Sequence, residues 1–315
     1  MKESMRITIN RTFFILMKVK TLINVKNLST VLIVFGIFVY IVFITSYFKG
    51  WLFKKPKLNR FQQLMSRIDC DKNKNHSLIH NINFIFYVLY HDNNSKMIAE
   101  KWCSCRPWAI PVPIHPSPYF ESIFYIDYLP KHTAEWIHVD YIAFGTYNTI
   151  FMMGNKEKLM YYLSIASTKQ YDILPLFDSS DELLPQAVLC HSPHFKVIWD
   201  TLLTSLGYTI TDIRKRDNVH SFYRNTYITT PHIMKQLIIF INKAITLVNT
   251  NQKLAKLIQY NANYKQSKQG VSIIMFNTTY YQYHPFIFER LPIYFSYYSN
   301  LTVYLTKGRK KSLKC

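Results

Sequence analysis

Residues 83–102 read NFIFYVLYHDNNSKMIAEKW, and the change of pattern inside them decides the fold. Asn83 to Tyr90 is short, aromatic and β-branched, and polar turns bound it on both sides. A continuous run of that kind is expected of a strand buried on both faces. His91 and Asp92 then turn the chain, Asn94 or Ser95 is suited to cap a helix, and Met97, Ile98 and Trp102 fall on one side of that helix. A buried strand leading directly into a helix opens an α/β unit.

The alternation continues downstream. Ala109–Ile114 (AIPVPI) reads as a second strand, kept to an edge by its prolines. The segment PSPYFES then leads into Ile123–Tyr128, and Val139–Gly145 (VDYIAFG) forms the next strand. A helix over 156–166 and a strand over Tyr171–Leu174 follow. Pro193–Leu206 predicts a helix with Phe195, Ile198, Trp199, Leu202, Leu203 and Leu206 on one face and Gly207 as its stop. Phe222–Thr229 alternates like a strand. Thr230-Pro231 supplies a cap and an N1 proline for a helix reaching Val248, with Met234, Leu237, Ile238, Ile241, Ala244, Ile245 and Val248 inward. Lys235 and Lys243 on its other face exclude a membrane span there. His284-Pro285 opens one more helix, interrupted by Pro292. The expected fold over 81–306 is α/β, a mainly parallel sheet with helices on both faces.

Upstream the solvent changes. No charged residue lies between Lys26 and Lys49, and Val31–Ile44 is VLIVFGIFVYIVFI. A helix needs about 20 apolar residues to cross a bilayer, so 27–48 is expected to be a transmembrane helix. A cleavable signal peptide fits poorly, because the exit Thr45-Ser46-Tyr47-Phe48 is bulky. The arm 1–26 carries Lys2, Arg6, Arg11, Lys18, Lys20 and Lys26 against Glu3, which favours a cytosolic N-terminus. Lys49, Lys54, Lys55, Lys57 and Arg60 crowd the other flank, so orientation rests on the size of the domain that follows. The reading is a type II protein: basic cytosolic arm 1–26, anchor 27–48, polar stem 49–80, lumenal domain 81–306 and basic tail 307–315.

Composition narrows the function. Glycine occurs only 7 times in 315 residues, and neither G-x-G-x-x-G nor a P-loop is present, which removes the support for a Rossmann dinucleotide site or a P-loop NTPase. The net charge of +20 suits an anionic membrane surface or a phosphate-bearing donor. No RRM, zinc-finger or helix-turn-helix signature appears, so nucleic acid is not an expected partner. Of the five cysteines, Cys103 and Cys105 stand too close for an ordinary mutual disulfide. Cys70 with Cys103 or Cys105, or either of those with Cys190, remain open pairings in a lumenal compartment. Sequons at Asn75, Asn93, Asn277 and Asn300 would be glycosylatable there.

Ligands of open parallel sheets bind beyond the carboxyl ends of strands. Three such ends carry polar groups: His91-Asp92, Thr146-Tyr147-Asn148, and Asp178-Ser-Ser-Asp181-Glu182. Asp178 and Asp181 are candidate ligands for Mg or Mn, which would neutralise a diphosphate leaving group; a solvated loop capping the next helix is the plainer alternative. His191 and His194 lie three apart but lack further ligands at zinc spacing. Arg224 and Asn225 sit within a strand pattern, and His284, Glu289 and Arg290 share one short helical element, as an active cleft or as a buried structural ion pair.

These stretches (FYVLYHDNNS, D-Y-I-x-F-G-T-Y, YDILP, FYRNTYITTP and the closing H-P-x-x-F-E-R-L) together resemble glycosyltransferases of the GT-A kind, over roughly residues 83–296. A D-x-D metal motif is missing; Asp178-Ser-Ser-Asp181 is one residue too long. The resemblance implies a secretory-pathway enzyme of the Golgi or ER that moves a sugar from a nucleotide-sugar donor to a glycan or other hydroxyl acceptor. Asp181, Glu182 or Glu289 would be its catalytic base, and Tyr147, Arg224, Asn225, His284 and Arg290 would contact substrate. The rival expectation is a non-enzymatic anchored scaffold, or a degenerate transferase fold, that touches anionic lipids.

Overall fold

The computed structural model describes residues 82–152, 156–176, 182–222, 225–264 and 269–305, together with Met65 and Ile68. The described residues belong to one compact unit within Arg60–Cys315. The expected anchor 27–48, the arm 1–26 and the tail 307–315 lie outside the described residues. Among the described residues no helix is long and apolar enough to cross a membrane.

The chain order begins with β1 (Phe84–Tyr90), α1 (Asn93–Cys103), β2 (Ala109–Pro113), a 3-10 helix (Phe120–Tyr125), α2 (Tyr128–Lys131), α3 (Thr133–Trp136) and β3 (Tyr141–Thr146). It continues with α4 (Tyr147–Met152), α5 (Lys156–Ser167), β4 (Ile173–Pro175), α6 (Leu183–His191), α7 (His194–Ser205), α8 (Ile210–Arg216) and β5 (Tyr227–Thr229). The last helices are α9 (Pro231–Thr250), α10 (Gln252–Ile258), α11 (Gln269–Phe276), α12 (His284–Phe288) and α13 (Leu291–Tyr298).

The strands form one five-stranded sheet in the order β2-β1-β3-β5-β4. β1 pairs in parallel with both β2 and β3, setting Phe86 opposite Ala109 and Ala143. β5 runs antiparallel to both β3 and β4. The sheet is therefore mixed, which corrects the expectation of a mainly parallel one. The reason is physical: β5 is only three residues long and buried throughout. A side-chain pattern records which face a residue lies on and carries no record of strand direction.

Helices cover both faces, as expected. Ile85, Tyr87 and Leu89 point into the larger core with Phe144, Ile173 and Tyr227, against Trp199 and Leu202 of α7 and Leu237 and Ile241 of α9. Phe86 and Val88 point the other way, into a smaller core with Ile98 and Trp102 of α1 and Leu163 and Ala166 of α5. Ile68 is buried in that second core, and Lys101 Nζ donates to the Met65 carbonyl at 3.1 Å. All six expected inward residues of α7 and all seven of α9 are buried.

Local chemistry explains the element ends. α1 starts two or three residues earlier than the Asn94 or Ser95 reading, because Asp92 is the cap. Its carboxylate accepts from Ser95 N–H at 2.7 Å, and Ser95 Oγ accepts from Asp92 N–H at 3.0 Å. Within α1 Met97 is exposed, while Ile98 and Trp102 are buried. α7 ends before Gly207, whose φ of +100° an L side chain resists. The Phe222–Thr229 strand shrinks to β5, and Ile123–Tyr128 belongs to the 3-10 helix and the start of α2.

Candidate active site

The parallel half of the sheet, β2-β1-β3, sends its carboxyl ends to one edge, the place where sheets of this kind hold ligands. At the end of β1, His91 Nε2 lies 3.3 Å from Asp92 Oδ2. The ring of Tyr147, at the end of β3, stands 5.8 Å from the His91 ring. At the end of β2 the chain leaves the edge strand through Ile114, whose N–H donates to the Tyr90 carbonyl at 2.7 Å, and reaches His115.

Beside β2 there is a cleft of about 370 Å³, lined by Pro113, Ile114 and His115 on one wall and by Asp127, Tyr128, Lys131 and His132 among others on the opposite one. That volume lies within the range of small-molecule sites. The second wall comes from the 3-10 helix, α2 and α3, and short helical spacings shape it. Asp127 and Lys131, four apart, form an ion pair. His132 and Glu135, three apart, bring Nδ1 and Oε1 to 2.7 Å. Glu135 Oε2 also accepts from the Tyr87 hydroxyl at 3.2 Å and the Tyr128 hydroxyl at 3.4 Å. The rings of Tyr128 and His132 stack at 3.9 Å, only 6° from parallel.

The electrostatics follow from burial. Tyr87 has no exposed surface, so desolvation, reinforced by the Glu135 carboxylate, drives its phenol far above the ordinary range. Tyr128 is pushed up to about 12 by the same two causes in the same order. Both phenols stay protonated and act as donors, so one carboxylate gathers two hydroxyl groups and an imidazole at the mouth of a cleft.

None of the described residues singled out from the sequence lines this cleft. Asp178, Asp181 and Arg224 are outside the described residues. Glu182 is exposed just before α6 and bridges to His220. Asn225 is buried in a left-handed conformation (φ +45°) and donates from Nδ2 to Ser122 Oγ at 3.1 Å. His284 is buried, its ring 5.5 Å from that of Tyr119, and desolvation lowers its pKa to about 4. Through Ser122 and Tyr119, Asn225 and His284 both touch the segment around the 3-10 helix, but neither lines the cleft. Arg290 is 2% exposed and donates to the Phe286 carbonyl at 2.7 Å and to Gln186 Oε1 at 2.6 Å. Glu289 Oε2 stands 3.8 Å from Arg290 Nη1 and is partly exposed. His191, stacked on Phe286 at 3.9 Å, is lowered to about 3 by burial and then by Arg290.

Among the described residues no group of three His, Cys, Asp or Glu side chains is placed to hold a metal ion. Cys105 and Cys190 are disulfide-bonded, whereas Cys103 is a free, buried thiol that burial pushes up to about 12. The pairings that used Cys103 are thereby removed. Sequence reasoning passed over His115, Asp127, Tyr128, Lys131, His132 and Glu135. The signal was present in DYLPKHTAE, residues 127–135, as charged and polar pairs at helical spacing.

The described residues form a mixed α/β domain with a small-molecule-sized cleft at the carboxyl end of an edge strand. Scanned against protein-family models, the curated proteins and the solved structures, the chain finds no match in any of the three.

Proposed function

We propose that the chain is a membrane-anchored glycosyltransferase that moves a sugar from a nucleotide-sugar donor to a glycan or other hydroxyl acceptor, with its domain in the lumen of the Golgi or ER. One observation carries this reading: the cleft beyond the carboxyl end of β2 is walled by His115, His132 and the Lys131–Asp127 ion pair, polar groups facing a sheet edge. Lys131 there would favour a diphosphate, and the flat Tyr128–His132 stack would favour a sugar or base ring. The disulfide-bonded Cys105 and Cys190 support an oxidising compartment. A divalent cation on Asp178 and Asp181 would neutralise the departing diphosphate, and no step is assigned to it.

A second reading, an anchored scaffold without catalysis, draws on a specific observation. None of His284, Glu289 and Glu182 lines the described cleft, and two of them are fixed by packing or by position at a helix end. Thermal-shift measurements on the full chain in detergent separate the two, using UDP, GDP and CMP with and without Mn²⁺. A nucleoside phosphate that raises the melting temperature, together with turnover of the matching nucleotide sugar, supports the transferase. No shift with any of them supports the scaffold.

A further inference from the structure

The wall of the cleft holds an arrangement that packing alone does not require. Tyr87, fully buried, needs one acceptor for its hydroxyl, and Glu135 supplies it. That need accounts for one carboxylate oxygen. It does not account for His132, whose Nδ1 engages the other oxygen at 2.7 Å while its ring is clamped flat on Tyr128. With a carboxylate against Nδ1, the proton sits on Nδ1 and Nε2 is left with its lone pair. Because His132 lines the cleft, that nitrogen is the one available to a bound molecule. Glu135 is held in turn by Tyr87 and Tyr128, both of which remain neutral donors, so the carboxylate cannot swing away from the imidazole without stranding a buried phenol.

The geometry points to His132 as a catalytic residue, a proton acceptor serving the cleft, with Glu135 as its positioning residue. The substrate class rests on the transferase reading: the proton comes from an acceptor hydroxyl. As that oxygen forms its bond to the anomeric carbon of the donor sugar, the bond from that carbon to the diphosphate oxygen breaks. The diphosphate leaves with the electron pair, and the hydroxyl proton passes to His132 Nε2 and then to solvent. A histidine–carboxylate pair of this form keeps the imidazole in one tautomer and orientation throughout the step.

Two measurements on the full chain in detergent test this. The first is turnover of whichever of UDP-glucose, UDP-galactose, UDP-N-acetylglucosamine and GDP-mannose the protein accepts. His132→Gln is expected to lower kcat by at least about 100-fold, while the matching nucleoside diphosphate still raises the melting temperature. Glu135→Gln, which keeps an acceptor for Tyr87, is expected to lower kcat by about tenfold or more. Nucleotide binding with an undiminished kcat in His132→Gln overturns the proton acceptor and leaves the transferase standing.

The second measurement does not depend on any donor. Selective ¹⁵N labelling of histidine should show His132 with a protonated Nδ1 and an unprotonated Nε2, and diethyl pyrocarbonate should modify it faster than His138. Glu135→Gln should remove the tautomer preference and slow the modification severalfold. That pattern without nucleotide binding supports the dyad and overturns the transferase. A mixed tautomer in the wild type, or a preference unaffected by Glu135→Gln, overturns the dyad.

Discussion

Arg290 tests how a charge should be read when it falls inside an apolar element. Its guanidinium is 2% exposed and donates to the Phe286 carbonyl at 2.7 Å and to Gln186 Oε1 at 2.6 Å, tying the start of α13 to α12 and to α6. Each hydrogen bond to a charged partner contributes about 1.5–3 kcal/mol. Gln186 is only half-buried and regains water when its partner goes, so Arg290→Ala is expected to cost roughly 3–4 kcal/mol in total. For a domain of this size, 1 kcal/mol corresponds to about 2–4 °C in melting temperature, so the midpoint should fall by roughly 6–16 °C. Arg290→Lys retains the charge but loses the fork, and should fall about half as far. Glu289→Gln should change stability by no more than about 1 kcal/mol, because Glu289 is partly exposed at 3.8 Å. Differential scanning fluorimetry of the full chain in detergent is the assay. A melting temperature for Arg290→Ala within about 2 °C of wild type would refute the bracing role and return Arg290 to the list of phosphate contacts.

Three further outcomes are expected. Gly145→Ala in β3 would place its Cβ 2.8 Å from the Thr149 side chain, which is buried, so urea denaturation should show a loss of about 1–3 kcal/mol. His191 and His284, lowered by burial to about 3 and about 4, stay neutral when folded and take up protons near 6.5 when unfolded. Stability should therefore be full above pH 6.5 and fall toward pH 4 by up to roughly 1.4 kcal/mol per pH unit for each histidine, and His284→Phe should halve the slope of the denaturation midpoint against pH. If the domain is lumenal, Asn277 and Asn300, both exposed, should carry glycans. Expression in a eukaryotic cell should then give an endoglycosidase-sensitive mobility shift that becomes smaller in Asn277→Gly with Asn300→Gly, Asn75 and Asn93 carrying the remainder. That pair suits the left-handed backbone at both sites, φ +54°; an unchanged mobility in the wild type would place the domain on the cytosolic side.

The parts of the fold legible in the sequence share one property: each has a face. β1 is an unbroken apolar run because both its faces are covered, and α7 and α9 bury the residues their 3.6-residue period selects. What escaped has no face to show. β5 is three residues long and buried on each, so its reversal among parallel neighbours leaves no mark on its side chains. Asp92 rather than Asn94 caps α1, because caps compete within one turn and several residues there qualify.

The same limit explains why the candidate site was missed while less central residues stood out. Arg290 attracted notice as a charge among aromatics, yet it donates to a carbonyl and an amide within the helical core, with Glu289 at 3.8 Å. His284 likewise drew attention beside a proline, and it sits among Tyr119 and Phe276. The wall of the cleft was built the opposite way, from two helices of four residues each behind a proline-rich approach. Helices that short show no period, and their polar residues resemble any solvated turn. Only the sheet gives them meaning, since Tyr87 of β1 reaches Glu135 across 48 residues of sequence. A pair three residues apart thereby becomes a carboxylate fixed from three sides. The long-range partner distinguishes an oriented imidazole from a surface one, and it is the reason the dyad, rather than the conspicuous charges, is the group to perturb first.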